Sequence, residues 1–287
     1  MKNNIIKAGV IGDPISHSLS PHIHNFFLNK YQINGSYEKI FIAKNQLEQG
    51  VKNLINQGFK GFNVTIPHKE AMFELCQETT DIAKLTRAVN TILIKDENRL
   101  FGDNSDGFGF IKNLEYQYPK FHLNQKNCFI IGAGGAARSI IYSLIIKKVN
   151  KIFITNRNKI RAEDLINDFQ NLALKNNCEL IIVDKQDFQE NLGICDLLIN
   201  TTSLGMIGFE PLNLNISKIK IDAIVSDIIY KPLITNLLQQ AKTNNIAILT
   251  GIGMLINQAL IGFRMWFDHI AEFDENLNNQ LISINYE

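Results

Sequence analysis

Short apolar runs that alternate with helical patterns limit the fold of this chain more than any other feature. In its second half the runs lie at residues 127–131, 151–155, 180–183, 196–200, 223–227 and 246–249. Runs of this length without polar alternation are typical of parallel strands that helices cover on both faces. Helical patterns at 134–147, 161–175 and 251–273 stand between or after them. The alternation predicts an α/β protein.

The first half has a related pattern. Strands are predicted at 5–12, 36–43 and 59–66, with helices at 20–32, 46–57, from Pro67 and at 106–116. Two apolar pieces at 91–95 and 99–101 resemble a hairpin. A polar connector at 118–125 separates the two halves. With 287 residues, the length is that of about two domains.

Composition excludes several classes of protein. The 29 Lys and Arg against 28 Asp and Glu leave a net charge of +1, so no global field gathers nucleic acid or an anionic membrane. No apolar stretch approaches 18 residues, which argues against a transmembrane helix. Residues 1–12 lack a small-residue cleavage site and indicate a first strand, not a signal peptide. Four scattered cysteines, with Cys128 and Cys195 expected as buried thiols, favour a cytoplasmic protein without a metal.

A glycine-rich turn follows the strand at 127–131. It consists of Gly132, Ala133, Gly134, Gly135 and Ala136. With Ala137 in the third small position, it fits the dinucleotide fingerprint, in which glycines allow a tight turn and close approach to a pyrophosphate. The following helix start offers free N–H groups to phosphates. The alternative is a plain tight connection.

The residues after the strand at 151–155 favour NADP over NAD. They are Asn156, Arg157, Asn158, Lys159, Ile160 and Arg161, and no acid precedes Glu163. An NAD enzyme usually places a carboxylate here for the ribose hydroxyls. Arg157 and Arg161 instead suit a 2′-phosphate, since guanidinium groups pair bidentately with phosphate oxygens. The alternative is that both arginines only solvate a helix start.

Four polar segments follow predicted strands or helices of the first half. They read SHSLSP at 16–21, NVTIPHK at 63–69, AVNT at 88–91 and GDNSDG at 102–107. Ligands of open α/β sheets bind at the carboxyl ends of the strands. Hydroxyls and amides there suit a small, anionic, hydroxyl-rich substrate, and Lys69 with Asp106 suits proton transfer.

These segments, together with NTTSLGM at 200–206 and GIGML at 251–255, resemble the shikimate dehydrogenase family over essentially the whole chain. Its members reduce 3-dehydroshikimate to shikimate with NADPH, on the route to chorismate and aromatic amino acids. The resemblance implies two α/β domains with a cleft between them. The substrate domain, with a mainly parallel sheet, would span 1–105 and be completed by helices in 250–287. A Rossmann-type NADP domain would span 106–249.

The resemblance also implies roles for single residues. Ser18 and Ser20 would hold the substrate carboxylate, and Lys69 with Asp106 would form the catalytic pair. The ring hydroxyls would be bound by Thr65, Asn90, Asp106 and Gln258, with Tyr230 closing the pocket from the cofactor side. The glycine-rich turn and residues 156–161 would bind NADP, Ile228 and Gly251 would line its nicotinamide end, and Asp81 is a weaker contact. Alternatively, Ser20 and Asp106 cap helices, Asn90 is a turn residue, Lys69 is a solvated surface lysine and Tyr230 is a rim aromatic.

Two positions depart from the family pattern, Ser105 in place of a threonine and Thr250 in place of an acid. One rival interpretation is a quinate/shikimate dehydrogenase that uses NAD. Such enzymes tend to carry an acid after the Asn-Arg pair, where this chain has Asn158. Another is a non-catalytic, shikimate-binding regulatory protein, but Lys69 and Asp106 are both intact. We expect a monomer or homodimer whose partners are small molecules, not nucleic acid or membrane.

Overall fold

The computed structural model describes residues 5–286, which form two compact units. The first comprises residues 5–106 and 255–277, and the second 107–254 and 278–286. The predicted division placed all of 250–287 in the first domain, whereas 250–254 and 278–286 group with the second unit. For the first of these segments the reason is local: Asn113 donates to the Thr250 carbonyl at 3.0 Å. A Cβ on Gly253 would lie 1.9 Å from Asn113 Oδ1, so the two segments are in close contact.

The first unit contains a six-stranded sheet of order β2-β1-β3-β5-β6-β4. Its elements are β1 (Ile6–Gly12), α1 (Ser20–Lys30), β2 (Gly35–Phe41), α2 (Leu47–Asn56), β3 (Phe59–Val64), α3 (Lys69–Leu75), β4 (Glu78–Thr79), α4 (Asp81–Thr86), β5 (Thr91–Ile94) and β6 (Leu100–Asp103). Strands β1, β2 and β3 are parallel, whereas β5 pairs antiparallel with β3 and β6. The predicted hairpin is therefore confirmed.

The second sheet is parallel throughout, with the order β12-β11-β10-β7-β8-β9. Its unit contains β7 (Asn127–Ile131), α6 (Gly135–Ile146), β8 (Lys151–Thr155), α7 (Lys159–Lys175), β9 (Glu179–Ile182), α8 (Lys185–Glu190), β10 (Leu197–Asn200), β11 (Ile224–Asp227), α9 (Asn236–Thr243) and β12 (Ala247–Leu249). The order of the strands reverses between β7 and β10, as in a Rossmann fold. The α/β class and the Rossmann-type domain are thus confirmed.

Three further helices carry residues near the unit boundaries. They are α5 (Asp106–Gln117), α10 (Gly251–Phe267) and α11 (Glu275–Tyr286). Helix α10 was predicted to reach residue 273. It ends at Phe267, because Asp268 adopts a left-handed backbone with φ of 49°. The part of α10 that belongs to the first unit contains Trp266, whose indole N–H donates to the Ile92 carbonyl at 2.8 Å.

Each unit has its own apolar core. In the second, Phe129 of β7 stacks on Phe153 of β8 with ring centroids 4.3 Å apart and meets Phe188 edge-on. Cys128 and Cys195 are buried, as predicted, and burial raises the pKa of both thiols well above the usual range.

Of the predicted N-terminal segment, residues 1–4 lie outside the described residues. Between residues 5 and 286, no helix combines the length and apolarity that a membrane span requires.

Candidate active site

The predicted catalytic pair is an ion pair in the structure. Lys69 begins α3 just beyond β3, and Asp106 begins α5 just beyond β6. The Lys69 Nζ lies 2.5 Å from Asp106 Oδ2. The Lys69 side chain is 23% exposed and that of Asp106 only 8%. An amine that is both paired and accessible can exchange a proton with a bound molecule.

Asn90 holds the second carboxylate oxygen of the pair. Its Nδ2 donates to Asp106 Oδ1 at 2.7 Å. Its own Oδ1 accepts from the Ser105 N–H at 2.9 Å and from the hydroxyls of Ser105 and Thr91. Since Asn90 is itself buried and its Oδ1 is held by these donors, its Nδ2 fixes the orientation of the Asp106 carboxylate.

Tyr37 and Asn63, which are hydrogen-bonded to each other next to Asn90, were not predicted as site residues. Tyr37 of β2 donates its hydroxyl to Asn63 Oδ1 at 2.6 Å. Asn63 in turn donates to the Asn90 carbonyl at 2.9 Å and to Thr91 Oγ1 at 3.2 Å. Burial raises the pKa of Tyr37 well above its usual value. Asn63 lies in the NVTIPHK segment, which was a usable signal, but nothing in the sequence marks Tyr37.

The other predicted substrate residues of the first unit lie at strand and helix ends. Ser18 and Ser20 lie together at the start of α1, where Ser18 Oγ accepts from the Ser20 N–H at 3.3 Å. A Cβ on Gly12 would lie 2.6 Å from Thr65 Cγ2, so Thr65 packs against the end of β1. Gln258 is 8% exposed, and its Oε1 lies 3.5 Å from Ser105 Oγ.

Asp81 and Tyr230 are placed differently. The Asp81 side chain is 93% exposed at the start of α4 and pairs with Lys84 at 3.4 Å. Nothing in this arrangement distinguishes Asp81 from an ordinary surface acid. Tyr230 follows β11 in the second unit and is half-buried, and burial raises the pKa of its hydroxyl.

The glycine-rich turn has the expected geometry. Gly132 has φ of 115°, and a Cβ there would lie 2.5 Å from Thr201 Oγ1. Gly134 differs, because its φ of −89° is ordinary and a Cβ would meet no atom within 4 Å. The open space beside Gly134 adjoins the N-terminus of α6, where free N–H groups attract phosphate.

Residues 156–161 form an exposed, basic start to α7. Asn158 caps the helix, with its Oδ1 accepting from the Arg161 N–H at 3.3 Å. Asn156 Nδ2 donates to the Asn158 carbonyl at 2.7 Å. Arg157 and Ile160 are exposed, and Lys159 lies 3.8 Å from Glu163. The helix begins two residues earlier than predicted, so Asn158, which lies in the predicted cofactor segment, also has a structural role as the cap of α7.

Ile228 and Gly251, which were predicted at the nicotinamide end, are in close contact. A Cβ on Gly251 would lie 2.2 Å from the Ile228 carbonyl oxygen, so only glycine fits at 251. Asp227, which precedes Ile228, was not predicted as a site residue, because in the sequence it is the last residue of an apolar strand.

Over residues 5–286 no cluster of three or more His, Cys, Asp or Glu side chains could hold a metal.

Two family models match this chain, one in each unit. A family model for the shikimate dehydrogenase substrate binding domain matches residues 10–92, and one for shikimate / quinate 5-dehydrogenase matches residues 115–210. The shikimate dehydrogenase (NADP(+)) of Jannaschia sp. (strain CCS1) is 36% identical over 98% of this chain and 99% of its own.

Two solved structures share the fold over nearly the whole chain. Shikimate dehydrogenase from Aquifex aeolicus is 31% identical, with a TM-score of 0.86 over 98% of this chain and 99% of its own. Shikimate 5-dehydrogenase from Thermus thermophilus, solved with NADP(H) and shikimate, is 29% identical, with a TM-score of 0.84 over 98% and 100%. This chain therefore belongs to the shikimate dehydrogenase family.

Proposed function

We propose that this chain catalyses the reversible, NADPH-dependent reduction of 3-dehydroshikimate to shikimate, a step towards chorismate and the aromatic amino acids. The observation that carries the proposal is the Lys69–Asp106 ion pair at 2.5 Å, held by Asn90 in the unit that also contains Ser18, Ser20 and Thr65. The second unit supplies a dinucleotide fingerprint. In the relative from Thermus thermophilus the same fold was solved with NADP(H) and shikimate.

Lys69 is the proton donor of the proposed reduction. NADPH, held by the glycine-rich turn and residues 156–161, would supply the hydride for the ring carbonyl carbon. As negative charge grows on the carbonyl oxygen, Lys69 Nζ donates a proton to it, which yields the alcohol. Asp106 keeps the ammonium group oriented through its Oδ2, while Asn90 restrains its Oδ1. In the oxidation direction Lys69 accepts the hydroxyl proton.

The substrate is bound by residues with matching hydrogen-bond chemistry. Ser18 and Ser20 donate to the carboxylate. The ring hydroxyls are bound by Thr65, Asn90, Asp106 and Gln258, with Tyr230 on the cofactor side. In this proposal the first unit is the substrate domain and the second is the NADP domain, with Asp81 as a peripheral contact. The protein acts in the cytoplasm as a monomer or homodimer.

NADP is the proposed cofactor over NAD. Arg157 and Arg161 bring positive charge to the segment after β8, where a 2′-phosphate lies in this fold. Asn158 is not an acid and so does not repel that phosphate. An NAD-linked quinate dehydrogenase is the second candidate, and the family model that matches residues 115–210 includes quinate enzymes. Asn158 disfavours this candidate.

The test is the initial rate of nicotinamide reduction at 340 nm with shikimate or quinate and with NADP⁺ or NAD⁺. We expect shikimate with NADP⁺ to have the highest kcat/KM. Lys69→Ala should lower kcat about 10²- to 10⁴-fold with little change in the KM for shikimate. Lys52→Ala, which removes an exposed lysine paired with Glu48, is the matched control and should be fully active. A Lys69→Ala variant with near-normal turnover would refute the mechanism, and shikimate binding without turnover by the wild type would favour the non-catalytic interpretation.

A further inference from the structure

Asp227 is a fully buried carboxylate to which three segments of the second unit are bonded. It ends β11 and has 0% exposure. Asn200 Nδ2 donates to both carboxylate oxygens, at 3.2 and 3.1 Å. The Thr235 hydroxyl donates to Oδ2 at 2.7 Å, and the Ile229 N–H donates to Oδ1 at 3.1 Å. One side chain therefore joins the end of β10, the segment after β11 and the start of α9.

The loop after β10 is the first segment that Asp227 restrains. Asn200 Oδ1 accepts from the N–H and the hydroxyl of Thr202, at 3.0 and 2.7 Å. Its Nδ2 also donates to the Leu204 carbonyl at 3.1 Å. Thr201 donates its hydroxyl to the Ile131 carbonyl at 2.7 Å and lies against Gly132. The loop at 200–204 is thus tied to the glycine-rich turn on one side and to Asp227 on the other.

The segment after β11 is the second segment that Asp227 restrains. The Ile228 N–H donates to the Asn200 carbonyl at 3.2 Å, and the Ile228 carbonyl lies against Gly251 at the start of α10. In a Rossmann sheet the dinucleotide lies across the carboxyl edge at the strand reversal. The glycine-rich turn after β7 and the basic segment after β8 lie on the adenosine side. Strands β10 to β12 are on the other side of the reversal, so in the proposed function the nicotinamide half would lie at their carboxyl ends.

We propose that Asp227 is a positioning residue that holds the loop at 200–204 and the segment at 228–230 as one preformed surface for the nicotinamide half of NADP. This inference rests on the proposed function. Burial raises the pKa of Asp227 to about 6, so the ionised carboxylate is costly where it lies. Because the buried charge costs free energy and the carboxylate accepts hydrogen bonds from three segments, we infer that Asp227 is there to fix the positions of these segments and not to stabilise the fold.

The test compares NADP⁺ with 2′,5′-ADP, which lacks the nicotinamide half, by isothermal titration calorimetry. Asp227→Asn keeps the shape but presents an amide donor to groups that are themselves donors. We expect its Kd for NADP⁺ to rise at least about tenfold. The Kd values for 2′,5′-ADP and for shikimate should stay within about twofold of the wild type, because their proposed contacts lie elsewhere. Unchanged NADP⁺ affinity, or an equal loss of 2′,5′-ADP affinity, overturns the proposal.

Thr235 offers a matched pair of variants if Asp227→Asn does not fold. Thr235→Val removes the hydroxyl that donates to Asp227, whereas Thr235→Ser retains it together with the N-cap of α9. We expect weaker NADP⁺ binding only for the valine variant, and equal affinities of the two overturn the proposal. A wild-type protein that does not bind NADP⁺ refutes the proposed function and this inference together. If the wild type binds NADP⁺ and the variants bind it with the same affinity, this inference is refuted and the proposed function is not.

Discussion

At the scale of single residues, Asn158 offers a direct test of cofactor choice. Its side chain caps α7 by accepting from the Arg161 N–H, a role that aspartate performs equally well. Asn158→Asp therefore keeps the helix start but adds a negative charge next to Arg157, where the 2′-phosphate is proposed to bind. We expect the KM for NADP⁺ to rise about tenfold or more and the KM for NAD⁺ to fall. The measurement is the ratio of kcat/KM for the two cofactors.

Asn158→Ser is the control for this change, because serine also caps but carries no charge. It should leave both the cofactor ratio and Tm close to those of the wild type. An Asn158→Asp variant that keeps the wild-type cofactor ratio would mean that this segment does not contact the 2′-phosphate.

The sequence could identify site residues only where a motif contained them. Lys69 and Asp106 stand in the NVTIPHK and GDNSDG segments, and the structure brings them within 2.5 Å. Tyr37 and Asp227 could not be found in this way. Tyr37 meets Asn63 from 26 positions away along the chain, through strand pairing that no local pattern encodes. Asp227 reads as a strand end, and its partners Asn200 and Thr235 become neighbours only in the folded sheet.

At the scale of elements, the turn between β7 and α6 contains two glycines in different surroundings. Gly134 has open space where a Cβ would lie, whereas Gly132 has a positive φ and packs against Thr201. We expect Gly134→Ala to keep the wild-type Tm but to weaken NADP⁺ binding at least about tenfold, because its methyl group occupies space proposed for the pyrophosphate. Calorimetric Kd values and thermal melts measure the two effects separately.

Gly132→Ala is the contrasting variant and should lower both Tm and affinity. Its backbone is strained for any residue with a Cβ, at a cost of about 1 kcal/mol or more. Equal thermal destabilisation by the two substitutions would show that the fold itself requires glycine at position 134. The glycine there would then be no evidence for a bound pyrophosphate.

Elements with a strong local pattern were predictable, and elements set by packing were not. Strands β7 and β8 were predicted with their observed bounds, since apolar runs flanked by turns allow little else. The two-residue strand β4 and helices α4, α8 and α9 were not predicted. Strand β4 has no periodicity to detect and exists because Glu78 and Thr79 pair with β6. Short helices such as α4 and α8 have caps but too few turns for an apolar stripe.

At the scale of the whole molecule, the two units contain buried groups whose protonation has opposite effects on stability. In the first unit, burial lowers the pKa of His24 to about 3, against a smaller opposing effect of Asn63. This depressed pKa gives stability that is complete above about pH 6.5 and is lost as the pH falls towards 3. In the second unit, burial raises the pKa of Asp227 to about 6, so the stability that this group contributes at low pH is lost as the pH rises through 6.

The first unit should therefore be the more sensitive to acid, and its single tryptophan makes this measurable. Trp266 lies 5.4 Å from the His24 ring, which also stacks on Tyr37 at 3.9 Å. Between about pH 7 and pH 5, protonation of His24 in the unfolded chain should lower the free energy of unfolding by about 2 kcal/mol. His24→Phe keeps the aromatic stacking and removes the titration, so its urea unfolding, followed by Trp266 fluorescence, should lack this loss. Because the comparison uses the change with pH, a constant packing difference between the variants cancels. Identical pH dependence in both proteins would show that His24 is not held neutral in the fold.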